Sequence, residues 1–277
     1  MTKIHNEFSI KTKDNLELYG QGWFPESGAK KIILLIHGIG EHSGRYAEWA
    51  SWFVEKKYSV FTFDLRGHGQ SQGKRGHVPS VHHFLDDVQL FKHYVQEMFP
   101  QIPLVLYGHS MGGNIILNYL LEREQDFSAA IAGSPWIKIP FSIPALKLGL
   151  AKFANTVFPG LLQPTGLVVE HISRSTAVVE AYKADPLNHD KISARMFMEL
   201  YMSGLMMASK AGIIKLPLLV MHGTEDQITS AKASEEFVKN ANDNVQLKLW
   251  DEAFHELHNE PNNQEVFEYI LEWLGEH

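Results

Sequence analysis

The chain has 277 residues, of which 44% are hydrophobic and 21% charged, so it is long and apolar enough to bury a large core. Its formal net charge of -7 argues against a nucleic-acid partner, because phosphates need a basic surface. The absence of cysteine excludes disulfides, thiolate metal sites and a cysteine nucleophile.

The N-terminal segment MTKIHNEFSIKTKDNLELYG lacks the apolar stretch of a signal peptide. No apolar run reaches the roughly 18–20 residues that a membrane-spanning helix needs. We therefore expect a soluble, cytoplasmic protein whose contact with membranes, if it has any, is peripheral.

Strand and helix signals alternate along the chain. Segment 7–23 alternates apolar and polar residues around Asp14-Asn15, which predicts an antiparallel hairpin at a sheet edge. Six later apolar runs predict strands, most of them covered on both faces: 32–36, 60–63, 104–107, 129–132, 218–221 and 247–250. Helical spacing of apolar residues predicts five helices: 46–56, 84–98, 114–124, 234–241 and 265–274. This order predicts an α/β fold with a mostly parallel, doubly wound sheet.

One region, residues 135–216, interrupts this alternation. It has no strand-like run paired with a helix, and its length far exceeds that of an ordinary connection. We therefore expect a mainly helical cap at 135–216, inserted into a core formed by 1–134 and 217–277. The many apolar residues of the cap either dock it on the sheet, or form an apolar tunnel or a lid that touches a membrane. Both interpretations stay open.

The segment Gly108-His109-Ser110-Met111-Gly112 matches the motif G-x-S-x-G. This motif presents a serine hydroxyl at a sharp turn where a strand ends and a helix begins, and the predicted strand and helix flank it here. The context favours Ser110 as a nucleophile over a polar residue in a tight turn.

A nucleophilic serine needs a base, and the base needs an acid that orients it. In folds of this kind the acid and then the histidine follow later strands. Asp226 follows the run 218–221 and is the first candidate for the acid, with Glu225 second; Asp226 could instead cap the next helix. His255 follows the last predicted strand and is the candidate base, with His258 second.

The glycine-rich turn His37-Gly38-Ile39-Gly40-Glu41 also follows a strand. Its spacing fits neither G-x-G-x-x-G nor a P-loop, so a nucleotide site is not expected. Such a loop can supply backbone donors to an oxyanion, and we expect the N–H groups of Ile39 and Met111 to do so. The segment His255-Glu256-Leu257-His258 lacks the H-E-x-x-H zinc spacing, so neither a metal nor a cofactor is expected.

Five segments together resemble monoacylglycerol lipases and related lysophospholipase-like hydrolases of the α/β-hydrolase superfamily: HGIGEHSGRY (37–46), FDLRGHGQSQGKRGHV (63–78), GHSMGG (108–113), HGTEDQI (222–228) and FHELHNE (254–260). The resemblance implies a Ser110–Asp226–His255 triad with oxyanion donors at Ile39 and Met111.

The resemblance also implies that the alcohol head group of the substrate is met by Glu41, Arg45, His109, Tyr182 and His258. Glu41 and Arg45 could equally form an ion pair that fixes the oxyanion loop. One departure weakens the head-group prediction. Relatives often carry a glutamate at the position of Val178, whereas the nearest glutamate here is Glu180.

These observations predict a serine hydrolase of single-chain acyl esters, most simply a monoacylglycerol lipase. A lysophospholipase or a broad carboxylesterase would use the same triad. A catalytically silent binding protein would be expected to lack a triad residue, and none is missing. Ser110 in place of an aspartate nucleophile argues against dehalogenases and epoxide hydrolases.

The expected partner is a small lipid ester, and the apolar cap is where transient membrane contact would occur. The oligomeric state is left open.

Overall fold

The six apolar runs predicted as strands all belong to one eight-stranded sheet in a computed structural model that describes residues 3–123 and 126–277. Its strands are β1 (Lys3–Lys11), β2 (Glu17–Pro25), β3 (Lys31–Ile36), β4 (Tyr58–Phe63), β5 (Leu104–His109), β6 (Ala129–Gly133), β9 (Leu218–Gly223) and β10 (Val245–Trp250). They are ordered β1-β2-β4-β3-β5-β6-β9-β10. The pairs β1–β2 and β2–β4 are antiparallel and the others are parallel, so the predicted edge hairpin and parallel sheet are confirmed.

Helices cover both faces of this sheet. Their bounds are α1 (Ala47–Glu55), α2 (Val81–Met98), α3 (Met111–Glu122), α4 (Ala145–Val157), α5 (Thr176–Ala184), α6 (Ala194–Met207), α7 (Ala231–Lys239) and α8 (Asn263–Glu276). The five predicted helices are confirmed with ends shifted by a few residues, because serines such as Ser80 and Ser230 accept N-terminal hydrogen bonds before the apolar pattern begins. Glu124, the predicted end of the third helix, lies outside the described residues.

Two hydrophobic cores lie on opposite faces of the sheet. Along β3, Ile32, Leu34 and Ile36 point into one core, where they meet α2, α3, α6 and α7. Ile33 and Leu35 point into the other core, which α1 and α8 cover. Because successive side chains of a strand alternate between faces, a strand buried on both sides must be continuously apolar. This explains the runs seen in the sequence.

The segment between β6 and β9, called the cap below for residues 135–216, contains α4, α5, α6 and two strands that were not expected. These are β7 (Leu162–Pro164) and β8 (Lys191–Ser193), which pair antiparallel. The region is mainly helical, as expected, and its two three-residue strands are too short to show a periodic pattern in the sequence. The division of the chain into core and cap stays a prediction.

The cap differs along its length in how it contacts the sheet. Residues of α6, such as Met196 and Leu200, are buried in the same core as β3 and α3. Helix α4 has no buried residue at all. No helix within residues 3–123 and 126–277 is both long and apolar enough to cross a bilayer.

Candidate active site

Ser110 sits in a strained turn between β5 and α3. Its backbone has φ 55° and ψ -116°, which is unusual for a residue other than glycine. The turn is held because the Ser110 N–H donates to the Gly133 carbonyl at 2.9 Å. The flanking glycines are required sterically, since a Cβ on Gly112 would lie 2.1 Å from the Ile36 carbonyl oxygen. The sequence thus folds locally into the turn that G-x-S-x-G predicts.

Asp226 and His255 come together after two neighbouring strands. Asp226 follows β9 and His255 follows β10, and His255 Nδ1–H donates to Asp226 Oδ2 at 2.7 Å. The other oxygen of the carboxylate, Oδ1, accepts the N–H groups of Ile228 and Thr229 at 2.8 and 2.9 Å. These contacts orient the carboxylate and assign the proton of His255 to Nδ1. Nε2 is therefore left unprotonated, as a base requires.

The alternatives for the acid and the base fit the geometry less well. Glu225 is exposed, and Ser230 rather than Asp226 caps α7, so the helix-cap interpretation of Asp226 is wrong. His258 stacks on Tyr46 with ring centroids 4.6 Å apart. Neither ring nitrogen of His258 has a hydrogen-bond partner among the described residues.

Two buried residues around Asp226 were missed in the sequence analysis. His222 Nε2 lies 3.1 Å from Asp226 Oδ2, and the Thr229 hydroxyl lies 2.9 Å from the same oxygen. Burial acts to raise the pKa of Asp226, but His255 and the hydrogen bond from His222 outweigh it and hold the pKa well below its usual range. Asp226 therefore stays ionised. The only sequence signal for His222 was its position at the end of β9.

Ser134 hydrogen-bonds the backbone of His255, the candidate base. Its hydroxyl donates to the His255 carbonyl at 2.7 Å, and its own carbonyl accepts the Thr229 hydroxyl at 3.0 Å. Ser134 follows β6 directly, with φ 44°. No sequence motif marks this serine, because its role depends on a contact 121 residues away.

The loop after β3 passes directly over Ser110. A Cβ on Gly38 would lie 3.2 Å from the Ser110 Cβ, and Ile39 and Ser110 line the same cavities. Met111 is buried as the first residue of α3. The predicted donors Ile39 and Met111 thus both neighbour Ser110 in the structure.

The cap contacts this loop at Gly40. The hydroxyl of Tyr182 and the N–H of His189 both donate to the Gly40 carbonyl, at 3.1 and 2.9 Å. Gly40 has φ 72°, and a Cβ there would lie 2.3 Å from the His189 carbonyl oxygen. His42 and Asp185 form a second link between loop and cap at 2.8 Å.

Glu41 and Arg45 form a buried ion pair that reaches the histidine loop. Arg45 donates to Glu41 Oε2 at 2.7 Å and makes two 2.7 Å bonds to Glu256, the residue after His255. Glu41 Oε1 accepts the Gly38 N–H at 2.6 Å. Of the two interpretations left open for Glu41 and Arg45, these contacts favour the ion pair that fixes the oxyanion loop.

The other predicted head-group residues lie around this network. The Arg45 guanidinium lies 4.7 Å from the centre of the Tyr182 ring. The His109 ring is buried, 4.8 Å from that of His255 and 4.9 Å from that of His258. Burial lowers the pKa of His109 well below its usual range, so this ring is neutral. Glu180 is exposed and pairs with Lys183 at 3.3 Å.

Two cavities meet at Ile39, beside Ser110. The larger, of about 430 Å³, has a mainly apolar lining that includes Ser110, Trp136, Phe141, Ile143, Val168 and Phe197. The smaller, of about 160 Å³, is lined by Tyr182, Lys183, Asp185, Asn188, His189 and Asp190. Ile39, Thr165, Leu167 and Val169 complete the lining of the smaller cavity, and of these two cavities only the smaller is lined by lysine or carboxylate side chains.

The described residues contain no group of three or more histidines and carboxylates placed to hold a metal ion. The sequence expectation that no metal or cofactor is needed stays a prediction.

Comparisons with known proteins agree with this architecture. A family model described as serine aminopeptidase, S33, matches residues 27–262. The monoacylglycerol lipase of Mycolicibacterium smegmatis is 32% identical over 279 residues, which cover 100% of this chain and 99% of that protein. A soluble variant of the Saccharomyces cerevisiae monoglyceride lipase, crystallised with a substrate analogue, covers 100% of this chain and 97% of its own, with a TM-score of 0.90 at 25% identity.

An abhydrolase domain-containing protein of Dictyostelium discoideum is 36% identical over 271 residues. This alignment covers 97% of the present chain but only 29% of the longer relative. The matched region thus makes up 99% of the Mycolicibacterium protein and 29% of the Dictyostelium one.

Proposed function

The chain belongs to the serine aminopeptidase S33 family of α/β-hydrolases, and on that basis we propose that it is a monoacylglycerol lipase, which cleaves a single-chain acyl ester into a fatty acid and glycerol. One observation carries the proposal. Ser110, in a strained turn, lines a small cavity together with His255, which is hydrogen-bonded to Asp226, and it also lines a mainly apolar cavity of about 430 Å³.

The chemistry follows from the roles we propose for these residues. His255 Nε2 takes the proton of Ser110 Oγ while Oγ bonds to the ester carbonyl carbon, and the resulting oxyanion accepts the N–H groups of Ile39 and Met111. The bond to the glycerol oxygen then breaks, and that oxygen takes the proton from His255. Water, deprotonated by His255, attacks the acyl-enzyme, releases the fatty acid and returns the proton to Ser110.

The charges beside the cavities favour a neutral head group over a phosphate. The charge of Arg45 is already balanced by the carboxylates of Glu41 and Glu256. Among the described residues that line the cavities, the only lysine or arginine is Lys183, which pairs with Glu170 at 2.8 Å. A buried phosphate would thus lack a free strong cation to pair with. Glycerol hydroxyls need only hydrogen-bond partners, which supports monoacylglycerol over a lysophospholipid.

A substrate panel tests this proposal. We expect kcat/KM for 1-monooleoylglycerol to exceed that for lysophosphatidylcholine with the same acyl chain by about tenfold or more, since an unpaired buried charge costs at least this much. A short nitrophenyl ester and an aminoacyl nitroanilide complete the panel, the latter because the family description names aminopeptidases. Faster cleavage of lysophosphatidylcholine or of the anilide would overturn the proposal.

The pH dependence of kcat/KM tests His255 as the base. Burial acts to lower the pKa of His255, but the Asp226 carboxylate outweighs it and raises the pKa above the ordinary 6.5. Only neutral His255 can take the serine proton, so activity should be lost as pH falls through this raised pKa. Measured from pH 5 to 9, the half-point should lie above 6.5. A flat profile, or a half-point clearly below that value, would rule out His255 as the base.

The exposed face of α4 supports the proposal that the cap touches a membrane. Leu146, Leu150, Phe153 and Val157 recur on one side of the helix, and Leu146 is 77% exposed. Phe141 and Val168, also exposed, line the large cavity, and we propose that they connect the apolar face of α4 to this cavity, where the acyl chain would lie. A monoacylglycerol could pass from a bilayer into the cavity along this surface. The cytoplasmic location stays a prediction.

Charges placed on α4 test this membrane contact. The variant Leu150→Asp/Phe153→Asp should raise KM for monooleoylglycerol in phosphatidylcholine vesicles by about tenfold or more, because two side chains that would enter the bilayer lose their transfer free energy. Hydrolysis of a short water-soluble ester should change little. Met98→Asp, at an exposed apolar position on α2, serves as the control. Equal KM values for the α4 variant and the control would refute membrane contact through this face.

A further inference from the structure

His37, the residue after β3, is held in a single tautomer. Its ring is fully buried, with Nε2 2.9 Å from the Leu65 N–H and Nδ1 2.7 Å from the Gly38 carbonyl oxygen. A backbone N–H can only donate, so Nε2 is the acceptor and Nδ1 carries the proton. Nδ1–H therefore donates to the Gly38 carbonyl. Burial lowers the pKa of His37, which keeps the ring neutral.

The Gly38 carbonyl belongs to the same peptide unit as the Ile39 N–H. This unit is trans, as are all described peptide bonds, so its C=O and N–H point in opposite directions. A ring that holds the carbonyl on its own side thus turns the Ile39 N–H to the other side. A Cβ on Gly38 would lie 3.2 Å from the Ser110 Cβ, and Gly38, Ile39 and Ser110 line one cavity.

The preceding peptide, between His37 and Gly38, is held by Glu41. The Gly38 N–H donates to Glu41 Oε1 at 2.6 Å, and Glu41 is itself held by Arg45 and by the Tyr46 hydroxyl at 2.9 Å. Gly38 has no Cβ to restrict its rotation, so its conformation depends on such contacts. The hydrogen bond from His37 restrains the next peptide, Gly38–Ile39, which contains the proposed oxyanion donor.

We propose that His37 is a positioning residue that orients the Gly38–Ile39 peptide so that the Ile39 N–H faces the oxyanion formed at Ser110. The inference rests on the proposed function, since it assumes that Ser110 forms an oxyanion. Without the His37 contact, the peptide can rotate and turn its carbonyl toward the same place. The oxyanion would then lose a donor and meet a partial negative charge.

Two substitutions of His37 distinguish its proposed role in orienting the peptide from a role in packing alone. His37→Leu removes the donor and keeps an apolar side chain of similar size. His37→Asn removes the ring but can place an amide N–H where Nδ1 was. His68→Leu is the matched control, because His68 is equally buried, its ring centroid is 5.4 Å from that of His37, and its Nδ1 lies 3.1 Å from the Arg66 carbonyl rather than from the oxyanion loop.

We expect His37→Leu to lower kcat for monooleoylglycerol by about 100-fold or more, the usual cost of one oxyanion donor, while KM changes little. His37→Asn should recover a large part of this loss, and His68→Leu should keep kcat near the wild-type value. Equal kcat for the two leucine variants, or no recovery with asparagine, would overturn the proposal. An inactive wild type would instead contradict the proposed function.

A measurement on the unaltered protein keeps the inference testable if His37→Leu fails to fold. Long-range ¹H–¹⁵N correlation spectra of histidine-labelled protein report which ring nitrogen is protonated, and the His37→Asn spectrum assigns the His37 signals. We expect a neutral His37 ring with the proton on Nδ1 in the resting enzyme. A neutral ring with its proton on Nε2 could not donate to the Gly38 carbonyl, and this result would contradict the proposal.

Discussion

Replacement of Ser110 by alanine is expected to lower kcat for monooleoylglycerol hydrolysis by about 10⁶-fold, as for other serine hydrolases that lose the nucleophile. Without the hydroxyl no acyl-enzyme can form, and the residual rate comes from binding and the oxyanion donors alone. The fold should survive, because the turn is held by backbone bonds such as that from the Ser110 N–H to the Gly133 carbonyl.

Ser203 offers a matched control for this substitution. It is also a buried serine, but its hydroxyl lies 3.0 Å from the Leu200 carbonyl oxygen and 3.2 Å from Asn114 Oδ1, and it lines none of the cavities at Ser110. Ser203→Ala should therefore keep activity close to that of the wild type. Comparable losses in both variants would mean that the Ser110 effect is structural, and substantial turnover by Ser110→Ala would exclude Ser110 as the nucleophile.

Replacement of Asp226 by asparagine should lower kcat by about 10⁴-fold, although the two side chains have nearly the same shape. Oδ2 of Asp226 lies 2.7 Å from His255 Nδ1, 3.1 Å from His222 Nε2 and 2.9 Å from the Thr229 hydroxyl. An amide NH₂ placed there would donate to His255 Nδ1 and force the proton onto Nε2. His255 could then no longer accept the proton of Ser110.

Glu225 provides the comparison for Asp226, since it is the adjacent acidic residue and is exposed. Glu225→Gln removes the same charge one position away and should leave kcat and its pH profile nearly unchanged. If Glu225→Gln were the damaging substitution and Asp226→Asn harmless, the acid of the proposed triad would be misassigned. Thermal melting of both variants would show whether either loss reflects unfolding.

The fold could be predicted from the sequence because its strands are buried on both faces. Runs such as 32–36 must be continuously apolar because their side chains fill two cores, and such a run can be recognised in the sequence alone. The position of Asp226 and His255 beside each other was predictable for a related reason. Parallel strands end at one edge of the sheet, so residues that follow β9 and β10 meet there.

The support around the site could not be predicted in the same way. Arg45 and Glu256 are 211 residues apart in the chain, and their pairing depends on how two loops approach each other. His222 and Ser134 are single polar residues at strand ends, where many polar residues have no such role. Local periodicity carries no information about contacts of this kind.

The apolar residues of the cap fall into two groups, one that packs on the main core and one that is exposed. Met196 and Leu200 of α6 dock on the main core, so part of its apolar content does serve packing. Phe153 of α4 is 61% exposed, so another part does not. Composition cannot separate these parts, because both consist of apolar residues at helical spacing.

Labelling with a fluorophosphonate, followed by peptide mass spectrometry and a parallel assay of monooleoylglycerol hydrolysis, tests most directly that Ser110 acts as the nucleophile of a lipid ester hydrolase. We predict a single phosphonyl adduct on Ser110 and a loss of hydrolysis in proportion to the fraction labelled. An adduct on another residue, or hydrolysis that persists when Ser110 is fully labelled, would contradict this account.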